Sequence, residues 1–287
     1  MPRSEFSAKP SGAPLDVGLV RKDLKNNRLG TKFHYFTALG STNSHARELA
    51  EDGAAQGEIV FAESQTQGRG RLGRPWESPA FLNLYLSVIL RPNLAPAHAA
   101  QITLTAAVAL AETVGFFIAR PPAIKWPNDI LVDGKKLAGI LTEAACDGER
   151  VEYVILGIGV NLNYRVDAMP EALRQGATSI ADLTAESVSR ESVLVRLIQD
   201  LDRCYGELEE SGFIALQPRW EAHFGWRGKK VRVELGDETL LGRALGIDRE
   251  GALVLEDEHG RRRTIVAGDV IPLELDTEIH AARHRYR

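Results

Sequence analysis

AIKWPNDILVDGKKLAGILTEAACDGERVEYVILGIGVN, residues 123–161, carries the strongest structural signal in the chain. Its apolar runs (AIKW, DILV, KLAGILTEAA and VEYVILGIGVN) are punctuated by Asp133-Gly134 and Asp147-Gly148, dipeptides suited to tight hairpin turns. The stretch reads as consecutive antiparallel strands of one sheet. Pro127 breaks the ladder, and Lys125, Asn128 and Asp129 stand at that break between apolar runs. Charged and amide groups are costly beside core residues unless they have partners. These three therefore read either as a local turn bonded to its own backbone or as part of a site. Lys136 begins the next strand, and Gly139 removes a side chain within it, which marks close approach by a ligand or another backbone. Asn161 follows the last strand, where an amide can equally serve as a cap.

Working outward, KFHYFT (32–37), EIVFAE (58–63) and NLYLSVILR (83–91) read as further strands, the last with the alternation of a half-buried one. Ser41-Thr42-Asn43 offers N-cap side chains for a helix to about Asp52. Pro96 opens an alanine- and leucine-rich helix over 97–114. Residues 190–210 show amphipathic spacing, with Ser189 as the N-cap. Past Trp226 the texture changes to short strands at close spacing, KKVRVEL, LLGRALGI, ALVLED and RRTIVAG, which predict a small β-barrel. The expected organisation is a flexible segment over 1–30, with a helix near Leu19–Asn27, a mixed α/β domain at 31–222, an all-β domain at 225–275 and a tail at 276–287.

The chain has 287 residues, 44% hydrophobic and 26% charged, with a formal charge of −4, so no global attraction to nucleic acid or anionic lipid is expected. Two cysteines are too few for a disulfide framework. The first residues lack an apolar signal-peptide core, and no stretch reads as long enough to span a bilayer, so a cytoplasmic location is the expectation. His280 and His284 are four apart, but a tail without a metal is the plainer reading. No metal site is expected.

Residues 65–77, QTQGRGRLGRPWE, are unusual in composition: Arg69, Arg71 and Arg74 are spaced by Gly68, Gly70 and Gly73, with no acid before Glu77. Glycines admit close backbone approach, and guanidinium groups offer forked donors to carboxylates and phosphates. Ordering such a segment costs about 1–2 kcal/mol of backbone entropy per residue, so it is expected to be loose until a ligand repays that cost. Anion binding, RNA contact and a solvated surface loop are all open on these residues alone.

Taken together, Ser41-Thr42-Asn43, GRGRLGRPW (68–76), KWPND (125–129), KLAGIL (136–141) and GIGVN (157–161) resemble the biotin protein ligases in order and spacing. The resemblance covers about 37–180 and extends to GIDREGALVLED in the C-terminal part. It implies an α+β fold, a mixed sheet flanked by helices similar to class II aminoacyl-tRNA synthetase cores, with a small SH3-like barrel. It implies a ligase that activates biotin with ATP to biotinyl-5'-AMP and pyrophosphate, then passes biotin to a lysine of a biotin carboxyl carrier domain of a biotin-dependent carboxylase. Mg²⁺ would arrive bound to ATP.

By position in the family, Ser41, Thr42, Asn43, Gln65, Gly68, Arg69, Gly70, Arg71, Lys136, Gly139 and Gly157 are the implied biotin-binding residues. Arg71, Arg74, Trp76, Lys125, Asn128 and Asn161 are implied for ATP. Lys136, Arg69 and Asp129 are implied to be catalytic, Asp129 either as a base for the carrier lysine or as an orienting partner of Lys136 or Lys125. Two anions meet in the first step, so cations aimed at carboxylate and phosphate are what the chemistry requires. The competing readings are a lipoate or octanoate ligase, a biotin-responsive DNA-binding repressor and a noncatalytic biotin-binding module. With few residues before the first strand and a negative net charge, no DNA binding and no membrane association are expected. A homodimer is compatible with the sequence.

Overall fold

Residues 123–161 form the expected antiparallel run: β4 (Ala123–Lys125), β5 (Asp129–Val132), β6 (Lys135–Asp147) and β7 (Arg150–Val160). Asp133 and Gly134 both take positive φ, 50° and 77°, in the turn between β5 and β6. The computed structural model describes residues 12–236 and 238–273; residues 1–11 and the predicted 276–287 tail with His280 and His284 lie outside that range.

Ahead of this run come α1 (Val17–Asp23), β1 (Lys32–Phe36), α2 (Thr42–Glu51), β2 (Glu58–Ala62), β3 (Leu84–Leu90) and α3 (Ala100–Phe117). After it come α4 (Glu171–Arg174), α5 (Ile180–Thr184), α6 (Arg190–Ser211) and α7 (Gln217–His223). The seven strands pair in the order β1-β2-β3-β7-β6-β5-β4, parallel between β1 and β2 and antiparallel elsewhere. The C-terminal unit has β8 (Lys230–Leu235), β9 (Glu238–Ile247), β10 (Leu253–Glu256), β11 (Arg262–Ile265) and β12 (Asp269–Pro272), all antiparallel in the order β11-β10-β9-β8-β12. This is the α+β class expected, with its small C-terminal β unit.

The large sheet is covered on both faces. On one, α3 and α6 pack against each other and bury the main core. On the other, α2 lays Ala46 and Ala50 against Val60, Ile89, Tyr153 and Ile155. Cover on both sides explains why β3 is buried at every position rather than half-buried as its pattern predicted. Its one polar residue, Ser87, faces α2 and is bonded there. Each fully buried Leu, Ile or Val in these layers contributes about 1.5–3 kcal/mol of transfer free energy.

Two further expectations are corrected. Residues 12–30 are not a free lead-in: Leu15, Val20, Leu24 and Leu29 are all buried, and Arg28 pairs with Asp202 and Glu209 of α6. Their spacing matches no single helical period, so the apolar signal was diluted. The stretch Pro96–Phe117 is, by length and composition, apolar enough to cross a membrane, contrary to the sequence reading. In this fold 67% of its 18-residue apolar window is buried against the sheet and α6, as a core helix requires.

Candidate functional site

On the α2 face the sheet runs out of large side chains. Along β7 the residues on this face are Tyr153 and Ile155, under α2, then Gly157 and Gly159. Gly159 stands opposite Gly139 of β6, and Gly157 opposite both Ser87 and Leu141. The glycines make a floor without side chains, and the space above it is a cavity of about 310 Å³.

The floor is needed because its neighbours sit so close. A Cβ on Gly157 would lie 2.1 Å from Asn43 Oδ1, and one on Gly159 would lie 2.6 Å from the Trp76 ring. Asn43 cannot retreat. Its Oδ1 accepts from Ser87 Oγ at 2.6 Å, and its Nδ2 donates to the Leu141 carbonyl at 3.2 Å and to Glu143 at 2.7 Å. Ser41 occupies the N-cap of α2 as expected, yet its hydroxyl makes no capping bond. The first helical N–H, that of Thr42, is taken by Gln65 Oε1 at 2.8 Å instead. Ser41 therefore keeps its hydroxyl for the cavity, beside a helix N-terminus that favours an acceptor.

Lys136 and Asp129 meet at one side of the floor, Nζ to Oδ1 2.7 Å, with Nζ 5.3 Å from the centre of the Trp76 ring. Lys125 lines the cavity nearby. Burial pushes its pKa down, against the opposing pull of Asp129 and Asp269, so a full positive charge there is held at a cost.

The arginine–glycine segment is folded on itself. Gly70 N–H donates to the Arg74 carbonyl at 2.7 Å and Trp76 N–H to Gly68 at 2.9 Å, leaving Leu72 at the tip with φ 56° and 79% exposed. Its guanidinium groups have carboxylate partners: Arg69 pairs with Glu143 at 3.2 Å, Arg71 with Asp269 at 3.3 Å and Arg74 with Asp269 at 2.5 Å. Arg71 also donates to Asn128 Oδ1 at 3.0 Å. The looseness expected of this segment is thus offset by its own backbone bonds and by these acceptors.

Of the residues that the family resemblance assigns to the site, all but Gly68 line the cavity. A Cβ there would meet the Trp76 carbonyl at 2.5 Å, so Gly68 allows the loop base to close instead of touching the cavity. Trp76, expected on the nucleotide side, lies directly over Gly139, which was expected on the biotin side. The Asn161 amide donates to the Thr178 carbonyl at 3.2 Å and accepts from Asn83 at 3.4 Å, which braces it within the cavity wall. Four participants escaped the sequence reading: Ser87, Glu143, Gly159 and Asp269. Glu143 was detectable, since 139, 141 and 143 alternate onto one face of a strand. Asp269 gave no local signal. The segment after Asn161, also passed over, closes the cavity with Tyr164, Met169 and Leu173, and its Gly176 carbonyl accepts the Lys136 N–H at 2.8 Å. Among the described residues, no group of three His, Cys, Asp or Glu is placed to hold a metal ion.

Comparison with known proteins places this architecture. Residues 35–161 match the biotin/lipoate A/B protein ligase family, and residues 228–271 match the biotin protein ligase C-terminal domain. The biotin–[acetyl-CoA-carboxylase] ligase of Mycobacterium tuberculosis is 38% identical over 271 residues, covering 91% of this chain and 96% of that one. The bifunctional ligase/repressor BirA of Bacillus spizizenii is 37% identical over 251 residues, 88% of this chain and 77% of that one. The structure of a biotin protein ligase from Aquifex aeolicus in complex with biotin and ATP superposes with a TM-score of 0.72 at 27% identity, covering 84% of this chain and 97% of that one.

Proposed function

The chain belongs to the biotin protein ligase family, and from that premise we propose how its cavity divides the work between biotin and ATP. The reaction is ATP-dependent biotinylation of a protein. The carboxylate of biotin attacks the α-phosphorus of ATP, pyrophosphate leaves, and biotinyl-5'-AMP forms. The ε-amine of a lysine on the carrier domain of a biotin-dependent carboxylase then attacks the acyl carbon, and AMP leaves. Mg²⁺ belongs to the substrate here, as the partner of the triphosphate.

In our reading the biotin ring system sits over Gly157 at the α2 end, with Ser41, Thr42, Asn43 and Gln65 as its polar contacts. Supporting this, Asn43 and Gln65 are held by several partners each, as a rigid recognition site requires. The carboxylate and the α-phosphate meet at Lys136, whose ammonium serves both anions as charge moves between them. Asp129 takes the orienting role, because its carboxylate already holds Lys136 Nζ at 2.7 Å. Arg69 closes the biotin side, while Arg71, Arg74, Lys125 and Asn128 face the nucleotide. A covered acyl phosphate is protected from water, which suits an intermediate that must wait for a protein acceptor.

The observation that carries this reading is the Lys136–Asp129 pair beside a side-chain-free floor and under an arginine loop. Mixing the protein with biotin, MgATP and an apo carrier domain tests it: the carrier should gain the mass of one biotinyl group on a lysine. Lipoic acid in place of biotin should give no such gain. The reading also includes a cytoplasmic location, supported by two cysteines that stand unpaired, Cys146 exposed and Cys204 buried. It includes no DNA operator, and a gel shift with and without biotin checks that point.

A further inference from the structure

The C-terminal unit is mounted firmly on the rest of the chain. The buried Trp126 Nε1 donates to the Gly251 carbonyl at 3.1 Å, Gln101 of α3 donates to the Arg249 carbonyl at 3.3 Å, and Gln217 of α7 to that of Ile247 at 3.0 Å. Trp126 belongs to the same five residues, 125–129, that supply Lys125, Asn128 and Asp129 to the cavity. One short segment therefore lines the cavity and also bonds the C-terminal unit.

From this mounting β12 projects Asp269 to the cavity wall. Its two carboxylate oxygens are divided between two arginines, Oδ1 at 3.3 Å from Arg71 Nη1 and Oδ2 at 2.5 Å from Arg74 Nη2. The Gly268 carbonyl takes a further Arg71 donor at 3.2 Å, and Asn128 takes another at 3.0 Å. A Cβ on Gly268 would meet the Glu234 carbonyl at 2.9 Å, so glycine lets this corner lie close to β8. Arg71 is thus held by three acceptors from two distant parts of the chain, and Nε and one Nη2 hydrogen remain to it. Without Asp269, Arg71, Arg74, Lys125 and Lys136 would share one cavity with Glu77 and Asp129 as the remaining carboxylates of its lining.

We infer that Asp269 is a positioning residue for adenylation: it sets Arg71 and Arg74 so that their remaining donors meet the phosphates of ATP, making the C-terminal unit part of the nucleotide half of the site. This rests on the ligase reading above. A carboxylate that merely occupied the phosphate position would act in the opposite sense, because removing it would tighten ATP binding. The direction of the change in KM therefore decides between the two.

The experiment is steady-state pyrophosphate release from biotin and MgATP by the full chain in the presence of saturating apo carrier domain, comparing wild type with Asp269→Ala, Asp269→Asn and Asp269→Glu. For Asp269→Ala we expect the KM for ATP to rise about ten-fold, while the KM for biotin stays within about two-fold. Asp269→Glu should restore most of the ATP affinity. Adding Asp269→Ala to Arg74→Ala should raise the KM for ATP by less than adding it to wild type, because one partner is already gone. Should Asp269→Ala fail to fold, Asp269→Asn keeps the shape, removes the charge and is read the same way. An unchanged or lowered KM for ATP, or an equal rise for biotin and ATP, overturns the assignment of Asp269. Wild type that releases no pyrophosphate overturns the ligase reading instead.

Discussion

Lys136 and Asp129 face each other across β6 and β5, Nζ to Oδ1 at 2.7 Å, because β6 carries a bulge at Leu137. Ile130 pairs with Ala138 and Leu131 with Lys136, so Leu137 has no partner in the ladder. Strict alternation would send Lys136 to the face opposite Gly139. The bulge re-aims it, and its Nζ comes within 3.3 Å of where a Gly139 Cβ would stand.

Lys136→Ala should lower the rate of biotinyl-AMP formation by on the order of 10²–10³, the loss seen when a principal oxyanion donor is removed. Asp129→Asn should lower kcat with less effect on the KM for biotin, since it leaves the ammonium present but unaimed. Single-turnover adenylation measures both. A variant without Lys136 that keeps wild-type speed would dismiss the central cation.

Gly157→Ala places a methyl 2.1 Å from the oxygen of an amide that three partners hold still. Overpacking of this kind costs about 1–3 kcal/mol, here charged mostly to the biotin subsite. Calorimetric titration should show weakened biotin binding. Binding equal to wild type would show that Asn43 can move aside.

Glu143 holds Arg69, Arg47 and Asn43 at once, so Glu143→Gln should loosen the loop and the ring subsite together. Arg69→Ala should loosen the loop alone. Both variants should release biotinyl-AMP faster and biotinylate bystander lysines more, but Glu143→Gln should in addition bind biotin more weakly. Adenylate dissociation unchanged in Arg69→Ala removes the clamp from the mechanism.

Burial lowers the Lys125 pKa from its usual 10.5, with Asp129 and Asp269 pulling the other way. Between the lowered value and 10.5 the unfolded chain binds the proton more readily than the folded one, so this group's contribution to stability rises with pH across that window. Below it, the folded protein carries the full desolvation cost. Lys125→Met should therefore melt higher than wild type at neutral pH, with the gap narrowing as the solution turns alkaline, while adenylation falls. Melting curves at the two pH values check the sign, and a gap that widens with pH would contradict it.

Much of this was legible in the chain. The Asp133-Gly134 turn, the Ser189 cap and the run from β4 to β7 follow from local rules, because turn chemistry and alternation act over a few residues. The polar residues at the Pro127 break were costly enough to mark either a bonded turn or a site, and their pattern alone left the two open. What was not legible has identifiable causes. The two-sided burial of β3 depends on α2 arriving on one face and the main core on the other, and Leu15, Val20, Leu24 and Leu29 pack without a helical period.

By its own pattern, then, the chain determined its strands, its turns and the residue types that surround the cavity. Tertiary structure decided which of them act on one another. The Leu137 bulge turned Lys136 toward Asp129, and the seating of the C-terminal unit on Trp126 brought Asp269 to Arg71 across 198 positions of sequence. Local propensity reaches only as far as neighbouring turns of backbone, whereas an ion pair forms wherever packing leaves two side chains within a few ångströms of each other.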